Sequence, residues 1–286
     1  MKIIKYFFEF IFIISFFFIF KIVGYKNSII IGGIIGKKIG PFFRNNFKIQ
    51  KNLEISLIGN SYQERKIIIN NMWTNYGRIF AEYMFIKKFR NNGLSKNIEI
   101  IGQNILEEIK KDKKPVIFIS GHFNNFELMA MHLEKSGIDL AAIYRPLNNK
   151  FLNPIMERIR KKYICKKQIK KGISGTKEIL KYFKTGSSIA LMVDQRVSEG
   201  ISCDFFSRKA FTTTIPAQFV KKFNCKIVPI YIERIKHSQF RLEILKPLNF
   251  SKNEDIHLIT THINKTIEGM IKKNPEQWIW THDRWK

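Results

Sequence analysis

The sequence has 286 residues, 45% of them hydrophobic and 26% charged, which suits one large domain or two small ones and excludes a disordered chain. Fifty Lys and Arg against 23 Asp and Glu give a formal net charge of +27, a field that favours anionic partners such as lipid headgroups, nucleic acid or an acidic protein. Three scattered cysteines, Cys165, Cys203 and Cys225, argue against a disulfide framework and against a C-x-x-C zinc knuckle.

The first element is the apolar run IIKYFFEFIFIISFFFIFKIV from Ile3 to Val23, with Lys5, Glu9 and Lys21 as its only charges. At about 1.5 Å per residue such a run is long enough to cross a hydrocarbon core. No A-x-A cleavage site follows it, so a retained anchor is expected rather than a signal peptide. Lys26, Lys37, Lys38, Arg44, Lys48 and Lys51 follow the run, against Lys2 and Lys5 at its start. That bias places the main body on the cytoplasmic side. Glu9 would be costly at mid-bilayer, so the helix is read as either transmembrane or in-plane. Gly32, Gly36 and Gly40 then stand at GxxxG spacing, a weak pointer to close helix packing.

Ser61 is placed to cap a helix over 61–89. From about residue 98 short apolar runs alternate with helical patterns. The expected strands are 98–101, 115–120, 140–145, 187–193, 225–235 and 240–245; helices are expected near 102–111, 124–136, 150–162, 174–184, 214–223 and 254–273. This alternation predicts an α/β fold with a mostly parallel central sheet flanked by helices. No linker divides it, so the expected organisation is an anchor and juxtamembrane segment over 1–40 and a single domain over 41–286.

One junction carries chemistry. After the strand PVIFI the chain reads SGHFNNFE, with His122 in the turn and Glu127 in the following helix. Five positions apart on one helix they would diverge by about 140°, so they meet only if His122 is outside the helix. A carboxylate beside a histidine fixes its tautomer and raises its basicity, which suits a general base for a hydroxyl. The N-terminus of the helix near Asn124 would offer N–H groups to an oxyanion. The plainer alternative is a capping histidine and a solvated glutamate. Arg145 and Asp194 each end an expected strand, where α/β enzymes place ligands, although either could be an ordinary surface residue. Lys161, Lys162, Lys166, Lys167, Lys170 and Lys171 form a basic run without evident acidic partners, suited to an anionic surface or simply to water.

GHFNNFE resembles the G-H-F-G-N-W-E segment of the lipid A late acyltransferases, the lauroyl and myristoyl transferases of the wider lysophospholipid acyltransferase superfamily. YRPLNN (144–149), LMVDQR (191–196), CDFFSRKAFTTTIPAQF (203–219), CKIVPIYIER (225–234) and PEQWIWTHDRWK (275–286) are similar to that family's further landmarks, in the family's order. Asn124 and Ser207 stand where the family has glycine, and Phe126 where it has tryptophan. The resemblance implies transfer of a fatty acyl group from an acyl carrier protein thioester to a hydroxyl of a Kdo-bearing lipid A precursor, at the bacterial inner membrane. It implies His122 as base with Glu127 as its carboxylate, and Arg145, Asp194, Gln195, Asn125 and Arg158 as substrate contacts. It implies acyl carrier protein, the glycolipid and an anionic membrane surface as partners, and no metal or cofactor.

H-E-x-x-H, G-x-S-x-G and G-x-x-x-x-G-K-[ST] motifs do not occur. The aromatic residues concentrate in the anchor and the tail rather than among the basic residues, which argues against nucleic acid. The competing readings are acylation of another lipid, a lysophospholipid or a phosphoinositide mannoside, and a non-catalytic membrane protein that binds anionic lipid.

Overall fold

A computed structural model describes residues 2–44 and 46–285. Strands β1 (Ile98–Ile101), β2 (Ile117–Ser120), β3 (Leu140–Tyr144), β4 (Lys167–Lys170), β5 (Ser188–Met192), β8 (Ile227–Lys236) and β9 (Gln239–Ile244) form one seven-stranded sheet. Its order is β1-β9-β8-β2-β5-β3-β4, parallel at every step except β8 with β9. β6 (Ile201–Phe205) and β7 (Arg208–Thr212) make a separate antiparallel hairpin. The α/β expectation with a mostly parallel sheet therefore holds.

β2 is buried along its whole length, as a strand covered by helices on both faces must be. Helices α5 (Gln103–Asp112), α6 (Glu127–Lys135), α7 (Leu152–Ile159), α8 (Ile173–Lys184), α9 (Ile215–Phe223) and α10 (Ile256–Lys273) connect and cover the strands, and the short α2 (Asn46–Ile55) and α4 (Ile86–Arg90) precede them in the chain. The expected basic run contains β4 and is not free of acids: Lys167 pairs with Asp139 at 2.6 Å and Lys170 with Glu157 at 3.4 Å.

The apolar N-terminus forms α1 (Lys2–Phe43), long and apolar enough to cross a membrane. It breaks at Gly24, whose φ of 77° lies in the left-handed region open to glycine. Ser28 closes the break by donating to Phe20 O at 2.7 Å and to Gly24 O at 2.6 Å. Beyond the break α1 packs on α3 (Tyr62–Glu82), which starts in a full capping box between Ser61 and Glu64.

The GxxxG spacing decides this contact. A Cβ on Gly32 would come within 2.5 Å of Gly77 O and one on Gly36 within 2.7 Å of Gly77 Cα, while one on Gly77 would overlap Gly32 O. The two backbones approach so closely that no side chain fits between them. Gly77→Val is expected to destabilise the protein by about 1–3 kcal/mol, because the helices must separate. Gly269 is exposed on α10 with open space around it, so Gly269→Ala should leave the melting temperature unchanged or higher. Thermal melts in detergent compare the two.

Candidate active site

Sheet register brings the first two groups together. In the β2–β5 pairing Ser120 stands opposite Met192, so the residues two places further, His122 and Asp194, leave adjacent strands side by side. Both lie at the carboxyl edge of the sheet, where ligands of open α/β sheets bind. Gly121 allows the approach: a Cβ there would meet the Phe123 ring at 2.8 Å and Asp194 Cβ at 3.3 Å.

His122 Nδ1 is 2.8 Å from Asp194 Oδ1, and the His122 backbone N–H donates to Asp194 Oδ2 at 2.9 Å. The Trp278 indole N–H donates to the same Oδ2 at 2.8 Å. Asp194 is fully buried and meets three hydrogen-bonding groups. An acceptor-only carboxylate at Nδ1 puts the ring proton there and leaves the Nε2 lone pair free. Burial works against the charge of His122, but the Asp194 carboxylate outweighs it. Glu127 adds to the rise, Lys171 opposes it, and the net shift is upward from 6.5. Burial likewise opposes the charge of Asp194, yet His122 and the indole hold it below the ordinary carboxylate range.

Glu127 is not the carboxylate that touches the histidine. Its Oε1 accepts from Tyr83 Oη at 2.6 Å and from Arg160 Nε and Nη2 at 2.8 and 2.7 Å. The helix carries Glu127 toward Arg160, so it acts on His122 through space while Asp194 holds the ring. Burial and Glu127 together raise the Tyr83 phenol well above its usual range, which keeps it a donor. Arg160 begins a π-helical turn, Arg160–Ile164, and its guanidinium lies 5.7 Å from the centre of the Tyr144 ring. Phe126 packs edge-on against His122, ring centres 5.0 Å apart, so the residue expected to be tryptophan walls one side of the imidazole.

The remaining expectations divide. Asn125 is fully buried, and its amide donates to Glu82 Oε2 at 3.0 Å, so it supports the turn from below rather than facing a substrate. Arg145 is exposed at the end of β3, on the same sheet edge as His122 and Asp194. Gln195 follows Asp194 and is half-buried. Arg158 is exposed and lines a shallow surface groove with Pro154, Glu157, Lys161 and Lys162. The helix begins at Glu127, and the N–H groups of Asn124 and Asn125 are already taken by Gln277 O and by Asn124 Oδ1. Donors to an oxyanion would therefore have to come from N–H groups other than those of Asn124 and Asn125.

Both positions where glycine was expected have a left-handed backbone. Asn124 has φ 42° and Ser207 φ 55°, conformations that glycine adopts freely and asparagine tolerates among other residues. Asn124 is further fixed by its side chain, which donates to Gln277 Oε1 at 2.7 Å and to Asn75 Oδ1 at 3.1 Å.

The tail motif completes the site from the far end of the chain. Phe123 pairs with Trp278 as an isolated antiparallel bridge, which seats the indole on Asp194. Trp285 donates to Phe205 O at 3.0 Å and Arg284 to Phe211 O at 2.7 Å, tying the β6–β7 hairpin to the tail. Lys286, the last residue of the motif, lies outside the described residues.

The sequence model for bacterial lipid A biosynthesis acyltransferases matches residues 1–286, the whole chain. The chain belongs to this family. It is 24% identical over 251 residues to "Lipid A biosynthesis acyltransferase 2" of Shigella flexneri, covering 86% of this chain and 79% of that one. To the "Lipid A biosynthesis lauroyltransferase" of Escherichia coli (strain K12) it is 23% identical over 263 residues, 88% of this chain and 83% of the other. To the palmitoleoyltransferase of the same strain it is 24% identical, covering 90% and 84%. A lipid A biosynthesis acyltransferase is a transferase.

Proposed function

We propose that this family member moves a fatty acyl group from an acyl carrier protein thioester to a hydroxyl of a Kdo-bearing lipid A precursor, with His122 as general base. The observation that carries the base is the His122–Asp194–Trp278 chain, which leaves Nε2 as the free, proton-accepting nitrogen. His122 Nε2 takes the proton of the acceptor hydroxyl as its oxygen attacks the thioester carbonyl. The tetrahedral intermediate collapses with cleavage of the C–S bond, and the imidazolium returns the proton to the departing thiolate. One ester and one free thiol result, and the steps call for no metal or cofactor. Asp194 stabilises the imidazolium between the two proton transfers. Glu127, held by Arg160 and Tyr83, adds negative potential behind the ring.

Arg145, on the same sheet edge, is assigned to an anionic group of the substrate, and Gln195 and Arg158 to outer contacts. The basic groove along Arg158, Lys161 and Lys162 suits an acidic carrier protein. We place the protein at the bacterial inner membrane, with its catalytic body on the cytoplasmic side.

The test is acyl transfer by detergent-solubilised protein from acyl carrier protein thioester to a hydroxyacylated lipid A precursor, read as added acyl mass. Wild type should transfer, and folded His122→Ala should fall by about 10²–10⁴-fold, the usual contribution of a general base. Transfer to a lysophospholipid or a phosphoinositide mannoside instead would replace the acceptor. Equal rates with acyl-CoA would remove the claim on the carrier protein. Transfer undiminished in His122→Ala would remove the base.

A further inference from the structure

The N-terminal half of α1 does not stand clear of the body, as a helix crossing a bilayer to reach a domain on one side would. Asn149 Nδ2 donates to Tyr6 O at 2.8 Å and reaches Glu9 Oε2 at 3.3 Å. Phe7 and Phe10 pack against Phe151, with ring centres 5.7 and 5.9 Å apart. Further along, Phe17 and Phe20 pack against Phe80 of α3 at 5.1 and 5.9 Å. Contacts with the body therefore run from Tyr6 to Phe20, about 21 Å of helix at 1.5 Å per residue. Asn149 and Phe151 belong to the loop after β3, at the carboxyl edge that carries the active site.

Crossing would carry this loop with it. Lys150 and Arg145, both exposed, would be drawn into or across the hydrocarbon beside the start of the helix. Glu9, the acidic residue of the run, faces the body and is met by Asn149 and by Lys5.

The opposite face has the chemistry of an inserted surface. Ile4, Phe8, Ile11, Phe18 and Ile22 are each between 46% and 69% exposed. At about 100° per residue they fall within about 80° of one another. Lys5 and Lys21 lie off the sides of that stripe, where their stems can lift the ammonium groups to the headgroups. Leu147, Phe151 and Ile155 are exposed in the segment that meets the start of the helix, which extends the apolar surface toward the active-site edge.

We propose that Lys2–Val23 lies along a single leaflet of an anionic bilayer, its Ile4–Phe8–Ile11–Phe18–Ile22 stripe among the acyl chains, without crossing it. The body then rests on the same face, and the carboxyl edge of the sheet opens beside the leaflet. A lipid acceptor reaches His122 by lateral movement, with little extraction from the membrane.

The test uses the full-length protein reconstituted in phosphatidylethanolamine–phosphatidylglycerol vesicles. Single nitroxide labels are placed at Ile4→Cys, Ile11→Cys and Ile22→Cys in a Cys225→Ser background, since Cys165 and Cys203 are buried. Depth is read from accessibility to oxygen against a water-soluble nickel chelate. The three positions lie within about 20° of one another on the helix, so an in-plane helix gives all three labels nearly the same depth. A crossing helix puts Ile4 and Ile22 near opposite interfaces and Ile11 about 10 Å nearer the bilayer centre than either, at about 1.5 Å per residue. Equal depth of all three within the acyl region supports the proposal. A middle label deeper than the outer two by most of that distance, or labels in water, overturn it. Neither outcome depends on catalysis, so the test stands apart from the assignment of the reaction.

Discussion

Replacing Asp194 with Asn is expected to lower kcat by about 10²–10⁴-fold and to move the ascending limb of the pH profile to lower pH. The base must be neutral, so wild-type kcat/KM rises with pH as the imidazolium loses its proton. Its midpoint should lie above 6.5, because the shift of His122 is upward. Burial, the largest influence on the ring, lowers its pKa, and the Asp194 carboxylate reverses that. Without the carboxylate, burial and Lys171 act against Glu127 alone, and the midpoint falls below the wild-type value. The plateau falls because an amide cannot accept from Nδ1, the His122 N–H and the indole together as the carboxylate does. An amide N–H turned toward Nδ1 would also select the wrong tautomer. Glu127→Gln should move the limb in the same direction by less, because Glu127 acts on the ring from a distance. Profiles of kcat/KM from pH 5 to 9 decide the matter, with circular dichroism to confirm folding. A limb that does not move in Asp194→Asn would mean that the titrating group is not His122 or that Asp194 does not govern it.

The partner of His122 was hidden from the sequence for a physical reason. Glu127 stands near His122 along the chain, and linear spacing favours it. Asp194 is 72 positions away, and only the parallel register of β2 with β5 brings it beside the ring. Register between strands separated by three α-helices and two other strands is a property of the sheet, not of local spacing. Arg160 was missed because nothing distinguishes it from the basic residues around it until Glu127 is seen to face it. The strands that were legible are the apolar runs, buried along β2 and most of β8 and only half-buried in β1. β4, KQIK, has one fully buried position, Ile169, and reads as part of a basic loop because it sits at the sheet edge. The β6–β7 hairpin turns through Phe206 and Ser207, both at positive φ, without the Asn-Gly or Asp-Gly signal of a tight turn. The GxxxG spacing was weak evidence alone and gains its meaning from Gly77, 45 positions beyond Gly32 on another helix.

Beneath the catalytic turn lies the interaction expected to matter most for stability. Glu82 and Arg234 form a buried pair at 2.6 Å, and both side chains are almost wholly shielded from water. Arg234 also donates to Asn124 Oδ1 at 3.1 Å and to Asn75 Oδ1 at 3.3 Å, while Asn125 donates to the second Glu82 oxygen. The pair thus holds the two asparagines that shape the turn after His122. Arg234→Met would leave the Glu82 carboxylate buried with one remaining amide donor, a loss of about 3–5 kcal/mol. At about 2–4 °C per kcal/mol for a chain of this size, the melting temperature should fall by about 6–20 °C. Removing both charges in Glu82→Met/Arg234→Met should restore a large part of that, because the cost comes from an unpaired charge rather than from a missing attraction. Activity should not recover in the double variant, since Asn124 and Asn125 would still lack the partners that set the backbone beneath the base. Melting curves and transfer rates on the three proteins separate these effects. Recovery of both stability and rate would mean that the turn holds its shape without the pair.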